Sequence, residues 1–441
     1  MSHLIDTYWP YIATTFAIIA TLLAAVQIIL TKRDVNAAIG WLGLVIVAPV
    51  FGPILYLLFG VNRIQRVAKK QRPQSVALPF FQPMVEGNTI VPLTPSTEAF
   101  QTMLASINGA RSTISLCEYI FDNDEVGRQF LDALVNAKNR GVAVRILIDA
   151  VGARYSFPRM VPLLKRSGLH TELFMSSLLP WRFRYFNLRN HRKILVIDGR
   201  IGFTGGMNIR SDRVIEDIHF QVEGPVVAHL QEAFAHDWLF STGEALTGSD
   251  WFPAIEARGT VPARGIPDGP DADFENLKWA YMNVIAGARE SITIATPYFL
   301  PDTSLVAFLS VASLRGVRVT VILPRHNNLP FVHWAMMAHA QPLLEHGVRI
   351  HLTEPNFDHS KIMVVDESTV MLGSANWDAR SLRLNFEFNL ECVDRALARS
   401  LTDLLQTKLT KSREITLDQI SRRPIWVRLR DSSARLLSPY L

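Results

Sequence analysis

The sequence predicts an α/β protein: two similar α/β sandwich domains sharing a central cleft, preceded by an N-terminal two-helix transmembrane hairpin. Three observations carry that expectation. Two long apolar runs open the chain, one His-x-Lys pattern occurs twice with identical companions, and strand-like and helix-like stretches alternate in the same order ahead of each copy.

The first apolar run, Tyr11 to Leu30, carries no charge and is closed by Lys32, Arg33 and Asp34. Its helix would rise about 30 Å, the thickness of a bilayer core. The second run, Ala37 to Phe59, holds Gly40, Gly43, Pro49, Gly52 and Pro53, which predicts a kink or a re-entrant path. Spans over about 11–30 and 37–59 within a hairpin of residues 1–62 are therefore expected. The first ten residues contain no Lys or Arg, unlike the basic start of a secretory signal. An apolar content of 49% fits a chain that spends part of its length in lipid. Lys32 and Arg33 lie between the runs, whereas Arg63, Arg66, Lys69, Lys70 and Arg72 follow them. That excess places the large C-terminal part in the cytoplasm. The net charge of +5 favours an anionic partner.

Residues 63–96 read as a basic linker broken by Pro73, Pro79, Pro83, Pro92 and Pro95. Two half-repeats follow, expected over 97–248 and 249–441. Ala110-Arg111-Ser112-Thr113-Ile114 corresponds to Ala288-Arg289-Glu290-Ser291-Ile292, and Arg140-Gly141-Val142 to Arg315-Gly316-Val317. Each Arg-Gly-Val ends an amphipathic helix and opens an apolar strand, and such alternation implies an α/β sandwich. Cys117 and Cys392 lie far apart in apolar runs and read as packed thiols.

The repeated pattern is His191-Arg192-Lys193 followed by Asp198, Gly205, Gly206 and Asn208. It returns 168 residues later as His359-Ser360-Lys361 followed by Asp366, Gly373, Ser374 and Asn376. His and Lys are two apart on an apolar strand, so their side chains leave one face. The aspartates fall just past the strands, in turns. An imidazole, an ammonium and an amide facing one pocket suit an anionic centre such as a phosphodiester.

These repeats resemble the paired HKD motifs of the phospholipase D superfamily. Tyr119-Ile120-Phe121-Asp122-Asn123-Asp124 and Gly373-Ser374-Ala375-Asn376-Trp377-Asp378-Ala379-Arg380-Ser381, with the two-span start, are similar to its bacterial cardiolipin synthase branch. The resemblance marks His191, Lys193, Asp198, His359, Lys361 and Asp366 as the catalytic set, the aspartates supporting the cleft from behind. It implies that one imidazole attacks phosphorus, His191 by family tendency, while the other protonates the departing alcohol. Lys193, Lys361, Asn208 and Asn376, with Gly206 and Ser374 beside them, would hold the phosphate. A downstream carboxylate orients the imidazole in this family. Glu387 fits in the second half; Asp217 is the nearest candidate in the first, where the residue at Glu387's offset is His219.

The implied reaction condenses two phosphatidylglycerols to cardiolipin plus glycerol at a bacterial inner membrane, multi-pass, with the catalytic domains on the cytoplasmic side. It requires neither metal nor other cofactor and no nucleic acid; a homo-oligomer is compatible with it. Hydrolysis, with water as acceptor as in a phospholipase D or other phosphodiesterase, is the competing reading, and a non-catalytic scaffold for anionic lipid is the third. Trp181, Arg182, Phe183 and Arg184 read as a lipid-facing stretch, rings at headgroup depth and guanidinium on phosphate. The same mixture would suit single-stranded nucleic acid or a partly buried loop. Phe331 to Met337 reads either as a wall for acyl chains or as plain core.

Overall fold

The structure is a computed structural model that describes residues 2–32, 35–60, 82–175, 188–211, 215–270, 273–354, 356–436 and 438. Trp181, Arg182, Phe183, Arg184 and the basic stretch from Arg63 to Arg72 lie outside the described residues. The described part forms two compact units, residues 2–60 and the residues from 82 onward.

In the first unit, α1 (Ser2–Thr31) contains Tyr11–Thr31, a stretch of 21 residues long and apolar enough to cross a membrane. The second apolar run does not form a single span. It gives α2 (Val35–Val47), then a turn at Pro49, then α3 (Phe51–Leu55), which runs into a π-turn at Tyr56–Gly60. Thirteen residues of α2 rise only about 20 Å. The prolines and glycines explain the break. Pro49 and Pro53 cannot supply helical N–H groups. At Gly52 a Cβ would stand 2.6 Å from the carbonyl oxygen of Leu44, so only glycine lets the chain fold back this closely. Ala24 and Ile28 of α1 pack with Trp41, Val45 and Tyr56, and the Thr21 hydroxyl donates to the Pro49 carbonyl at 3.2 Å.

The second unit is built on one long mixed sheet. The first half of the unit supplies β1 (Val85–Leu93), β2 (Thr113–Glu118), β3 (Ala143–Asp149), β4 (His170–Phe174), β5 (Arg189–Asn190), β6 (Ile194–Ile197), β7 (Ile201–Gly205), β8 (Ile215–Glu216) and β9 (His219–Glu223). The second half supplies β10 (Val261–Asp268), β11 (Ser291–Ala295), β12 (Phe299–Leu300), β13 (Arg318–Pro324), β14 (Arg349–Thr353), β15 (Phe357–Asp358), β16 (Ile362–Val365), β17 (Thr369–Gly373), β18 (Trp377–Asp378), β19 (Asn385–Val393) and β20 (Ser412–Ile415). Short β8 with β15 and β12 with β18 form two separate two-stranded sheets beside the long one. From the centre outward the first half reads β1-β9-β7-β6-β2-β3-β4 and the second β10-β19-β17-β16-β11-β13-β14, and the two meet along antiparallel β1 and β10.

The linker expected over 63–96 is therefore too long: Val85–Leu93 is a central strand. Pro92 misdirects the reading because proline lacks a ladder donor. It is tolerated because β10 pairs with β1 only at Val85 and Asn88, while Thr89–Leu93 pair with β9 alone.

Helices cover both faces. α4 (Ser96–Gly109), α5 (Glu125–Asn139) and α6 (Met160–Arg166) bury Met103, Phe130, Leu134 and Leu164 against the first half, with α7 (Val227–Thr242) on the opposite face. In the second half α8 (Asn276–Gly287), α9 (Thr303–Leu314) and α10 (Pro330–Glu345) enclose a matching core, and α11 (Arg395–Thr410) packs on β16 and β17. α12 (Leu417–Ser421) and α13 (Ile425–Arg435) finish the chain, and α13 lies against α10. All six residues of β2 are buried, as expected of a strand covered on both faces.

Asp198 and Asp366 head the turns that join β6 to β7 and β16 to β17, with φ of 53° and 51°. Asp198 accepts the backbone N–H groups of Arg111, Ser112 and Thr113 at 2.9, 2.7 and 3.0 Å. Asp366 does the same for Arg289, Glu290 and Ser291 at 2.8, 2.8 and 2.9 Å. Burial alone would raise the Asp198 carboxyl; the donors of Ser112, Thr113 and Arg111 outweigh it and hold the group below the usual range. Asp198→Ala is expected to cost about 1–3 kcal/mol at neutral pH, because it orphans the start of β2. A lowered unfolding midpoint checks this. A carboxyl depressed on folding stabilises above its unfolded value and less as pH falls through its folded one, so the deficit should shrink below about pH 4.

Candidate active site

The repeated motifs meet in the second unit at a cleft of about 500 Å³ lined by His191, Asn208, Asp217, His359 and Asn376. Each histidine is delivered by a two-residue strand that pairs with the other half. β5 runs parallel to β19, and the His191 backbone N–H donates to Phe386 O at 2.9 Å. β15 runs parallel to β8, and the His359 backbone N–H donates to Glu216 O at 2.7 Å. In both cases the next residue along supplies the carboxylate for the ring. His191 Nδ1 lies 3.0 Å from Glu387 Oε1, and His359 Nδ1 lies 2.8 Å from Asp217 Oδ2. The orienting acids are thus exchanged between the halves: Glu387 serves the first motif and Asp217 the second.

Strand register explains why counting residues pointed to His219. Gly205 on β7 faces His219 on β9, and Gly373 on β17 faces Asn389 on β19. Two residues before these partners stand Asp217 and Glu387, so the acids are equivalent although the second half carries two additional residues in between. Both glycines have φ near 150°, and a Cβ on Gly373 would stand 2.4 Å from Phe388 O. The next position differs between copies. A Cβ on Gly206 would stand 2.5 Å from both oxygens of Asp217, so the shorter acid needs a glycine there. Its counterpart Ser374 instead donates its hydroxyl to Glu387 Oε2 at 2.6 Å, while Asn385 Nδ2 donates to Oε1 at 3.1 Å.

The lysines are buried beside the rings. Lys193 Nζ donates to His191 O at 2.8 Å; Lys361 Nζ donates to His359 O at 2.6 Å and lies 2.9 and 3.3 Å from His359 Nδ1 and Nε2. The residue between His and Lys is held differently in the two copies. Arg192 pairs with Asp237 of α7 at 2.7 Å, whereas Asp358 and Ser360 are met by Lys408 of α11 at 2.8 and 3.2 Å.

Electrostatics follow from this burial. Desolvation lowers His191 to about 4 against the pull of Glu387. Desolvation and then Lys361 lower His359. Glu387 and Asp217 stay below the usual carboxylate range: burial opposes ionisation, but His191 and Lys193 outweigh it for Glu387, and Lys361 and His359 for Asp217. Burial brings Lys361 down to about 8 despite Asp217. Each Nδ1 faces a carboxylate, which leaves Nε2 as the nitrogen for chemistry. A cation lost through about pH 8 predicts a falling alkaline limb in the rate. A rate that stayed flat to pH 10 would refute the role of the Lys361 charge.

Asp198 and Asp366 spend their carboxylates on backbone N–H groups at the strand turns, and neither lines the cleft. Asn208 Oδ1 accepts Ile120 N at 3.3 Å, while Asn376 Oδ1 is buried without a hydrogen-bond partner. Of Phe331 to Met337, Val332, Ala335, Met336 and Met337 belong to the core, and Val332 also lines the cleft. Sequence reasoning missed Arg189, Arg380, Tyr119 and Tyr298, which also line the cleft. The Tyr119 ring lies 5.0 Å from His191, and Tyr298 6.3 Å from His359. The available signal was their matching place, just past β2 and β11.

Comparison with known proteins agrees with this geometry. Residues 103–238 and 281–409 match the family model described as cardiolipin synthase, PLD-like domain, and residues 19–60 match the one described as phospholipase D-nuclease N-terminal. The chain is 33% identical to the major cardiolipin synthase ClsA of Bacillus subtilis (strain 168), over 97% of this chain and 98% of that protein. It is 32% identical to a cardiolipin synthase of Staphylococcus aureus (strain Mu50), over 96% of each. Among solved structures, phosphatidylserine synthase of Haemophilus influenzae Rd KW20 superposes with a TM-score of 0.63 at 15% identity, over 80% of this chain and 95% of that one. Polyphosphate kinase of Porphyromonas gingivalis gives 0.52 at 16% identity, over 79% of this chain and 52% of that one. At these identities the two structures speak for the fold alone. Repeated motifs, duplicated sheet and near full-length relatives together make this chain a member of the cardiolipin synthase family within the phospholipase D superfamily.

Proposed function

We propose that the protein is a membrane-bound phosphatidyltransferase that condenses two phosphatidylglycerols into cardiolipin and glycerol. The observation that carries the reading is the crossed pair of imidazole–carboxylate contacts at one cleft, together with relatives named cardiolipin synthases. His191 is the nucleophile; burial keeps it neutral, and Glu387, held by Ser374 and Asn385, orients it. Its Nε2 attacks phosphorus, the bond from phosphorus to the glycerol oxygen breaks, and His359, which enters the step as an imidazolium that Asp217 stabilises against burial, gives that oxygen its Nε2 proton. His359, now neutral, removes the proton from the hydroxyl of a second phosphatidylglycerol. The resulting oxygen attacks phosphorus, the N–P bond breaks and His191 is restored. Lys193, Lys361, Asn208 and Asn376 offset the charge that grows on the non-bridging oxygens.

The N-terminal unit anchors the chain in a bacterial inner membrane. The basic excess after the second apolar run supports a cytoplasmic position for the sandwich domains, over about 97–248 and 249–441. The decisive experiment incubates the purified protein in detergent with phosphatidylglycerol and no nucleotide. Cardiolipin with equimolar glycerol supports the reading; phosphatidic acid without cardiolipin makes the protein a hydrolase.

A further inference from the structure

Helix α13 is amphipathic in the wrong sense for a surface helix. Its inward face carries Asp431, which is 2% exposed and paired at 2.7 Å with both Arg423 and Arg430, and the small Ala434. Its outward face carries Ile425, Trp426, Leu429 and Leu436, exposed by 76, 64, 67 and 76%. Ile425, Leu429 and Leu436, the residue that closes the helix, stand at i, i+4 and i+11, one line along a helix of about 3.6 residues per turn, with only the small exposed Ser432 and Ser433 among them. Exposed Arg428 and Arg435 flank that line on one side and Arg430 on the other. A soluble surface turns such a stripe inward. An apolar stripe edged with arginine is what the headgroup layer of an anionic bilayer takes up.

A second observation ties this face to the active cleft. The Trp426 ring lies 6.0 Å from the Arg430 guanidinium, which lies 4.6 Å over Trp334 of α10, whose ring is 5.0 Å from Phe331. Phe331 is exposed beside Leu329, and Leu329 lines the cleft. The ladder therefore runs from the outward face of α13 to Phe331, two residues along the chain from Leu329 at the rim of the site.

We propose that α13 lies in the headgroup layer of an anionic phospholipid bilayer and that the Trp426–Arg430–Trp334–Phe331 ladder brings that surface to the cleft mouth. This names the surface through which the membrane-bound enzyme proposed above reaches its lipid. Its test does not use catalysis, so the two readings fail separately. Cys117 and Cys392 are both buried, so a Leu429→Cys change in the full chain offers one accessible thiol for a fluorescent label. The labelled protein is reconstituted into vesicles of phosphatidylcholine and phosphatidylglycerol containing lipid spin-labelled either near the headgroup or at the chain end. The expected result is quenching by the shallow probe at least about twofold stronger than by the deep one, as an interfacial helix requires. Adding Ile425→Glu and Trp426→Glu, both at exposed positions, should abolish it. An unquenched label, quenching indifferent to those two changes, or label–label contact showing a second copy seated on the face would each overturn the proposal.

Discussion

His191→Ala is expected to remove turnover by roughly three to six orders of magnitude, the scale seen when one member of a concerted catalytic set is lost. His359→Ala should do the same, and the double variant should be little worse than either, because the two rings line one cleft and the proposed cycle needs both. The two single variants should differ in what they accumulate. With His191 absent no phosphorus–nitrogen bond forms. With His359 absent, a substrate whose leaving group needs no proton should still load His191, and the trapped phosphoprotein is visible by mass spectrometry. Near-normal activity in either variant would refute the shared site.

Glu387→Gln is expected to cost about two to four orders of magnitude while leaving the protein folded, on the scale of losing the acid that orients a catalytic imidazole. Glu387 accepts from Ser374 and Asn385 and sits 3.0 Å from His191 Nδ1, so an isosteric amide disturbs the charge more than the packing. The crossed contacts make this specific. The loss should resemble that of His191→Ala and should not deepen in a Glu387→Gln/His191→Ala double variant. Asp217→Asn should pair with His359→Ala in the same way. In the His359→Ala background Glu387→Gln should also slow the loading of His191 by a substrate whose leaving group needs no proton, whereas Asp217→Asn should leave that loading unchanged; the opposite pattern would reverse the assignment of acids to rings. The rate of phosphoprotein formation, followed by mass spectrometry, decides it.

Much of this site was legible before any coordinates. His191, Lys193, His359 and Lys361 announce themselves because their offsets to glycine and asparagine repeat without error, and the repeat itself predicts a duplicated sheet. The break in the second apolar run was legible for the same local reason, since Pro49, Gly52 and Pro53 cannot continue a straight helix. What stayed hidden is what depends on distant pairing. Asp217 could not be matched to Glu387 by counting, because two residues separate the halves' spacing and only the β7–β9 and β17–β19 registers cancel them. The exchange of acids between halves is a tertiary fact with no one-dimensional trace. Val85–Leu93 read as linker because Pro92 is a strand breaker except where one neighbour has already ended. Arg189 and Arg380 carried no repeat to single them out.

The exchanged clamp also bears on ancestry. A module holding a single copy of the motif would present an imidazole with its acid pointing away from it, so a half-length forerunner could have worked only by docking against its own twin about a two-fold axis. Joining the twins in one gene frees each to drift. The Arg192–Asp237 pair beside one motif and the Asp358–Lys408 pair beside the other, opposite in the direction of their charge, show that the two copies are no longer interchangeable.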